Sequence, residues 1–281
     1  MIPTMSERQF PARLLCILFS AAILSPACSH ADNHSLDEKS SAALDAAIAG
    51  SHRSDGNRAR DQYRRPKETL AFFGFRSDMT VVEISPRGGW YTEVLAPALR
   101  NGGTLYAAHS DVNGSSYGRR SLGGFLRKLG ENGDVYDQVV VSSSPIAPAN
   151  TADLVVTFRN VHNWLDPESD ATSQFAEMYA ALKPGGVLGV VDHRWPDAAT
   201  EDPAAGNGYV SEERVIRLVE AAGFEFEARS DHNRNPKDTH DHPNGVWTLL
   251  PGLDIDDAQK DKFRAIGESD RMVLRFRKPA D

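Results

Sequence analysis

The sequence predicts an α/β domain: a doubly wound, mostly parallel seven-stranded sheet with an antiparallel edge hairpin. Three observations predict it. Short apolar runs rich in β-branched residues alternate with helical stretches of about ten residues. The first strong run ends in a glycine-containing turn that leads straight into a helix. Two further runs close the chain and are the candidates for the antiparallel pair.

Taken in order, residues 36–48 (LDEKSSAALDAAI) can form a short helix within an otherwise polar stretch, 32–60, that reads as a tether. The domain proper is expected over 61–281. Pro66 suits the first position of a helix, with Glu68 in its first turn and Gly74 just past its last apolar residue, Phe73. Residues 80–84 (TVVEI) read as the first strand, 85–89 as its turn and 90–99 as a helix. A strand follows at 104–108, a helix weakened by Gly123 and Gly124 at 121–129, and strands at 138–141 and 153–158. Residues 174–182 have helical spacing and end at Lys183-Pro184-Gly185-Gly186, before a buried strand at 187–191. Ser211 caps a helix whose first turn carries Glu212 and Glu213, and Gly223 lies past its end. Residues 224–228 and 272–276 are the last two strands.

The first thirty residues have a different character. Arg8 and Arg13 precede an apolar run, 14–24 (LLCILFSAAIL), too short to cross a bilayer and well suited to a signal peptide over 1–31. Cleavage before Cys28 would leave a lipidated residue and a membrane tether; cleavage before Asp32 would follow Ser29-His30-Ala31. The two cysteines, Cys16 and Cys28, both lie in this lead, so the domain carries no thiol or disulfide, in keeping with export to the periplasm or the cell envelope. A net charge of −8 gives no basic footprint for nucleic acid. Walker, His-Glu-x-x-His and Gly-x-Ser-x-Gly motifs are absent, which disfavours nucleotide hydrolysis by the usual route, zinc proteolysis and an esterase elbow.

Chemistry concentrates in two blocks. In Glu83-Ile84-Ser85-Pro86-Arg87-Gly88-Gly89-Trp90-Tyr91-Thr92-Glu93, glycines at a strand-to-helix turn let the backbone approach a ligand. Arg159-Asn160-Val161-His162-Asn163-Trp164 follows the fourth strand. With Lys183-Pro184-Gly185-Gly186, the 211–224 helix and the closing RMVLRFRK, these blocks fall in an order that resembles the class I S-adenosylmethionine-dependent methyltransferases. More narrowly, residues 60–281 resemble a group of predicted exported methyltransferases with a GGWYTE turn and an FRNVHNW block.

The resemblance implies a Rossmann-like methyltransferase fold, S-adenosyl-L-methionine as cofactor and a small-molecule acceptor. It matches Glu83 to the acidic residue that opens the cofactor turn and Gly88 and Gly89 to its later glycines. Ser85 and Arg87 stand where glycine is usual; Arg87 would either obstruct the methionine end or bind its carboxylate. His109 occupies the place of the acidic ribose-binding residue, with Asp111 a substitute. His109, His162 and the Asp192-His193 pair fall at strand ends. His162 is the preferred general base, His193 a further catalytic histidine, and Arg159, Asn160 and Asn163 are expected to orient the acceptor. Trp90 and Trp164 read as packing residues.

A second polar cluster, His232, Asp238, His240, Asp241 and His242, has ligand types for a divalent ion. The turn residues Asn233, Asn235, Pro236 and Pro243 favour a solvated loop instead, and no metal is expected. A domain of the same fold that binds a ligand without transferring methyl groups is the alternative function.

Overall fold

A strand whose residues are apolar on both faces is stable where helices cover both sides of it. The computed structural model describes Met1 and residues 36–109, 115–166 and 169–280. It places such a strand, β1 (Thr80–Ile84), centrally in an eight-stranded sheet. The others are β2 (Thr104–Ala108), β3 (Val139–Ser142), β4 (Ala152–Phe158), β5 (Leu182–Trp195), β6 (Val210–Ser211), β7 (Glu225–Ser230) and β8 (Arg271–Arg277). The order is β3-β2-β1-β4-β5-β8-β7, with the two-residue β6 beside the end of β5. β1 to β5 pair in parallel, and β8 runs antiparallel between β5 and β7. All seven expected strands are present, and the last two form the antiparallel pair at the edge. They are joined by the long connection 231–270. Strand order reverses between β1 and β4, which places a crevice at the carboxyl ends of those strands.

Ten helices are described: α1 (Glu38–Ala49), α2 (Asp55–Arg58), α3 (Asp61–Arg64), α4 (Pro66–Phe72), α5 (Thr92–Leu99), α6 (Ser116–Glu131), α7 (Gly133–Tyr136), α8 (Ala171–Ala181), α9 (Glu212–Ala221) and α10 (Lys260–Arg264). Side chains alternate between two apolar layers. Val81, Leu154 and Val156 pack with Leu44, Leu70, Phe73 and Leu95 of α1, α4, α5 and their flanks. Val82, Ile84 and Val155 pack with Phe175, Met178, Val215 and Val219 of α8 and α9. By the same alternation Glu83 turns toward the α5 layer.

The stretch expected to be a tether is largely part of this core. Leu44 and Ala47 of α1 are buried, and Arg53 beyond it is 1% exposed, bridging Asp61 and Glu93. A twelve-residue helix is marginal alone; burying Leu44 contributes about 1.5–3 kcal/mol and docks it. The signal region, with Cys28 and Asp32, lies outside the described residues. α6 is longer than expected, starting from a Ser115 cap that accepts from the Gly118 N–H at 2.9 Å.

Candidate active site

The turn after β1 has an unusual backbone. Ser85 (φ 47°), Arg87 (φ 52°) and Gly89 (φ 70°) all lie in the left-handed region. For an L side chain that region costs about 1–2 kcal/mol per residue. The Ser85 N–H donates to the Ala108 carbonyl at 2.7 Å, tying the turn to the end of β2, and the Gly89 N–H donates to the Pro86 carbonyl at 2.8 Å. The positions where glycine was expected thus keep a glycine-like path although two hold other residues. A Cβ on Gly89 would stand 3.0 Å from Phe125 of α6, whereas one on Gly88 would meet nothing within 4 Å. Arg87 reaches across to α6, donating to the Tyr117 hydroxyl at 3.1 Å.

Two cavities flank this turn, and Ile84, Ser85 and Arg87 line both. The larger, about 550 Å³, extends past the ends of β2 and β3 to His109, Ser143, Ser144 and Ile146, and to Asn160, Asn163 and Trp164 after β4. His109 is buried against Phe125, its Nε2 has no hydrogen-bond partner among the described residues, and burial pulls its pKa down to about 4. Asp111 lies outside the described residues. Sequence reading missed Ser143, Ser144, Ile146 and Glu177 as cavity residues; the turn-forming Ser-Ser-Pro after β3 was the available signal.

The smaller cavity, about 150 Å³, lies between the turn, the end of β4 and α2–α3. Glu83 borders it, 2% exposed, accepting from the Thr92 hydroxyl at 2.6 Å; burial pushes its pKa up to about 7. Arg60, Arg64 and Arg159 line the same cavity. Arg159 is half-buried, has φ 59°, and its guanidinium makes no hydrogen bond or ion pair among the described residues. Trp90, read from the sequence as a packing residue, lines this cavity too and lies under the guanidinium groups of Arg53 and Arg64 at 5.2 and 4.6 Å.

Beyond β4, Asn160 is 2% exposed and donates to the Ile84 carbonyl at 3.0 Å and to Thr157 Oγ1 at 3.1 Å. It braces β4 against the turn as well as lining the larger cavity. His162 is buried, and its Nδ1 meets Asp192 Oδ1 of β5 at 2.7 Å. A carboxylate accepts only, so Nδ1 carries the proton and Nε2 keeps its lone pair, where the Asn163 amide donates at 3.0 Å. Asp192 also accepts the His162 backbone N–H at 3.2 Å. Neither His162 nor His193 lines either cavity, although Asn160 and Asn163 on either side of His162 line the larger one. His193 hydrogen-bonds Ser269 Oγ, and burial, with His162 beside it, holds its pKa well below the usual value. Ligand atoms of His162, Asp192 and His193 lie within 4.8 Å of one another. The 2.7 Å contact is shorter than the ~3.3 Å between tetrahedral ligands placed roughly 2 Å from zinc, and describes a histidine–aspartate hydrogen bond.

The second histidine cluster divides: His232 stands apart, whereas the His240 N–H and the His242 ring both meet Asp238. His232 pairs with Thr69 at 2.9 Å and Ser230 at 2.7 Å, Asp241 accepts from Thr239, and His242 meets Asp238 at 2.8 Å. Asp238 is 4% exposed, so this is a buried structural network where a solvated loop was expected.

No protein-family model matches the sequence, and no curated protein matches it. Solved structures do. An S-adenosylmethionine-dependent methyltransferase from Aquifex aeolicus aligns over 78% of this chain and 93% of its own at 17% identity, with a TM-score of 0.51. The [4+2]-cyclase SpnF aligns over 83% and 86% at 18% identity (TM-score 0.52). Geranyl diphosphate methyltransferase, solved with S-adenosylmethionine, aligns over 90% and 100% at 14% identity (TM-score 0.50). At such identities the likeness is one of fold, and the fold of this chain is the Rossmann-like α/β fold of the class I methyltransferases.

Proposed function

We propose that this chain is an S-adenosylmethionine-dependent methyltransferase acting on a small-molecule acceptor. The turn at residues 85–89 carries the reading. Its left-handed backbone persists at Ser85 and Arg87, where side chains make it costly, and both residues line the cavities on either side. The surroundings fit the cofactor: open space over Gly88, a buried carboxylate on Glu83 for an ammonium group, and the unpartnered Nε2 of His109 for a ribose hydroxyl. When bound, that cofactor supplies an electrophilic methyl group on a sulfonium centre.

The chain's own residues then supply positioning and a proton acceptor. An oxygen, nitrogen or sulfur acceptor loses a proton as it is methylated, and His162 Nε2, reached from the larger cavity through Asn163, is the candidate proton acceptor. Asp192 fixes the ring and its tautomer through Nδ1, as a positioning residue. An acceptor that reaches Nε2 takes the place of the Asn163 amide. The apolar lead at 14–24, ending near Cys28 and Asp32, supports an exported enzyme, free or lipid-anchored in the envelope, as does the resemblance to the exported group.

One observation favours the second reading, a ligand-binding domain without transfer. Arg87 sets a long cationic side chain at a glycine position between the two cavities. Calorimetric titration of the chain from Asp32 onward with S-adenosylmethionine and S-adenosylhomocysteine separates the two. The transferase reading expects binding weakened at least about tenfold (1.4 kcal/mol) by Glu83→Gln. It expects transfer lowered roughly 10²–10⁴-fold by His162→Gln, with cofactor affinity kept. A folded protein that binds neither compound overturns it.

A further inference from the structure

Burying a cation without a matching anion is costly, and guanidinium groups do not escape the cost by losing their proton. Arg60, Arg64 and Arg271 share the single carboxylate of Glu268, with Arg60 at 2.7 Å and Arg64 at 2.9 Å. Glu268 is fully buried, and the Arg64 and Arg271 side chains are 6% and 2% exposed. Arg64 Nη2 and Arg271 Nε have no hydrogen-bond partner among the described residues. Arg159 joins the group with no hydrogen bond or ion pair among the described residues. Burial, followed by Arg64 and Arg271, holds its pKa well below the ordinary guanidinium value, with Glu268 opposing. Four guanidinium groups therefore face the carboxylate of Glu268, and the one carboxylate among the described residues lining the smaller cavity is Glu83, whose burial favours its neutral form.

The excess charge is aimed at a cavity. Arg60, Arg64 and Arg159 line the smaller cavity beside the turn, and Arg64, Arg159 and Arg271 line its continuation behind Phe158. The floor is rigid: Tyr91 and Phe158 stack with centroids 3.5 Å apart at 5°. Arg159 sits on a left-handed backbone directly after β4, and its N–H is tied to the Val191 carbonyl at 2.7 Å, so the side chain springs from a fixed point. Rigid guanidinium forks suit a two-oxygen acid, and about 150 Å³ accommodates an acidic head group.

We propose that this pocket is an anion site and that the methyl acceptor carries a carboxylate or phosphate group, bound by Arg159 with Arg60 and Arg64. The proposal rests on the transferase reading for the identity of the ligand, not for the site itself. The same chemistry has a second source, the carboxylate of the cofactor's methionine part.

Inorganic phosphate titrated calorimetrically into the full chain, with and without saturating S-adenosylhomocysteine, separates these cases. Wild type, Arg159→Gln and Arg159→Lys are compared, each checked by thermal melting. The expected result is phosphate binding that persists beside S-adenosylhomocysteine and weakens with salt. It falls at least about tenfold in Arg159→Gln and less in Arg159→Lys. Phosphate expelled by S-adenosylhomocysteine but not by 5′-methylthioadenosine, which lacks the amino-acid part, overturns the acceptor assignment. No phosphate binding by wild type that binds S-adenosylhomocysteine overturns the anion site and leaves the transferase reading standing. Phosphate binding without any S-adenosylhomocysteine binding upholds the site and sinks the transferase reading.

Discussion

The carboxyl ends of the central strands and the 231–270 connection draw on the same residue types, histidine, aspartate, asparagine and arginine, and use them differently. In the connection, Asp238 accepts from the Tyr209 hydroxyl at 3.0 Å, His242 Nε2 at 2.8 Å, and the N–H groups of His240 and Asp270 at 3.0 and 2.7 Å. Its charge is met from four sides. Around the turn and the end of β4, polar groups stay open: His109 Nε2 and the Arg159 guanidinium have no hydrogen-bond partner among the described residues, and Ser85, Arg87 and Arg159 hold left-handed backbones. An unsatisfied buried group costs about 1–3 kcal/mol, and so does each such backbone. Histidine content does not tell a structural cluster from a site. Saturation of the central carboxylate separates them better: Asp238 has four donors close by, even though Asn233 Oδ1 and His240 Nε2 of the same connection find no hydrogen-bond partner among the described residues and a further cavity borders Asp238 and His240.

The largest effect that would break this contrast is on Asp238. Asp238→Ala leaves Tyr209 and His242 without their buried acceptor, and loss of one partner from a buried charged network costs about 3–5 kcal/mol. Urea unfolding is expected to show that loss, while S-adenosylhomocysteine affinity of the folded variant stays unchanged. Retained stability with lost affinity would reassign the connection to the site.

Glu83 sharpens the contrast through pH. Its pKa rises from 4.5 to about 7 on folding, first because burial disfavours the charge. Between those values the folded state holds a proton that the unfolded state has released, so stability falls as pH rises from 4.5 to 7. The total is about 3 kcal/mol. Glu83→Gln removes the penalty: the variant is expected to be more stable than wild type at pH 8, with little difference at pH 4, and to bind the cofactor more weakly. Denaturation at the two pH values, with calorimetry at pH 8, checks both. A variant destabilised at pH 8 would make Glu83 a structural residue.

Much of the fold was legible because buried parallel strands are written as apolar runs, as in Thr80–Ile84 and Ala152–Phe158. The docking of α1 was not, since its anchors are only Leu44, Ala47 and a few neighbours in a polar stretch. The order of the blocks brought Glu83, His109 and His162 to strand ends. The pairing of His162 with Asp192 spans 30 residues and two strands, so no local pattern announces it. Arg60 and Arg64 come from the supposed tether and its edge, and meet Arg159 only through the folded topology. Left-handed backbone at Ser85 and Arg87 is equally silent, because residue type advertises that conformation only when it is glycine.

The smallest expected effect divides the two glycines of the turn. At Gly89, an alanine would hold φ 70° with its methyl 3.0 Å from Phe125. Strain and crowding together are expected to cost about 1–3 kcal/mol in denaturant unfolding. At Gly88 the added methyl meets open space, and stability is expected to stay within about 0.5 kcal/mol of wild type. That open space lies over the turn where the cofactor is placed, so Gly88→Ala should weaken S-adenosylhomocysteine binding without touching the fold. If Gly88→Ala binds as wild type does, the ligand does not approach the turn at this point. The left-handed path through Ser85 and Arg87 would then need another explanation.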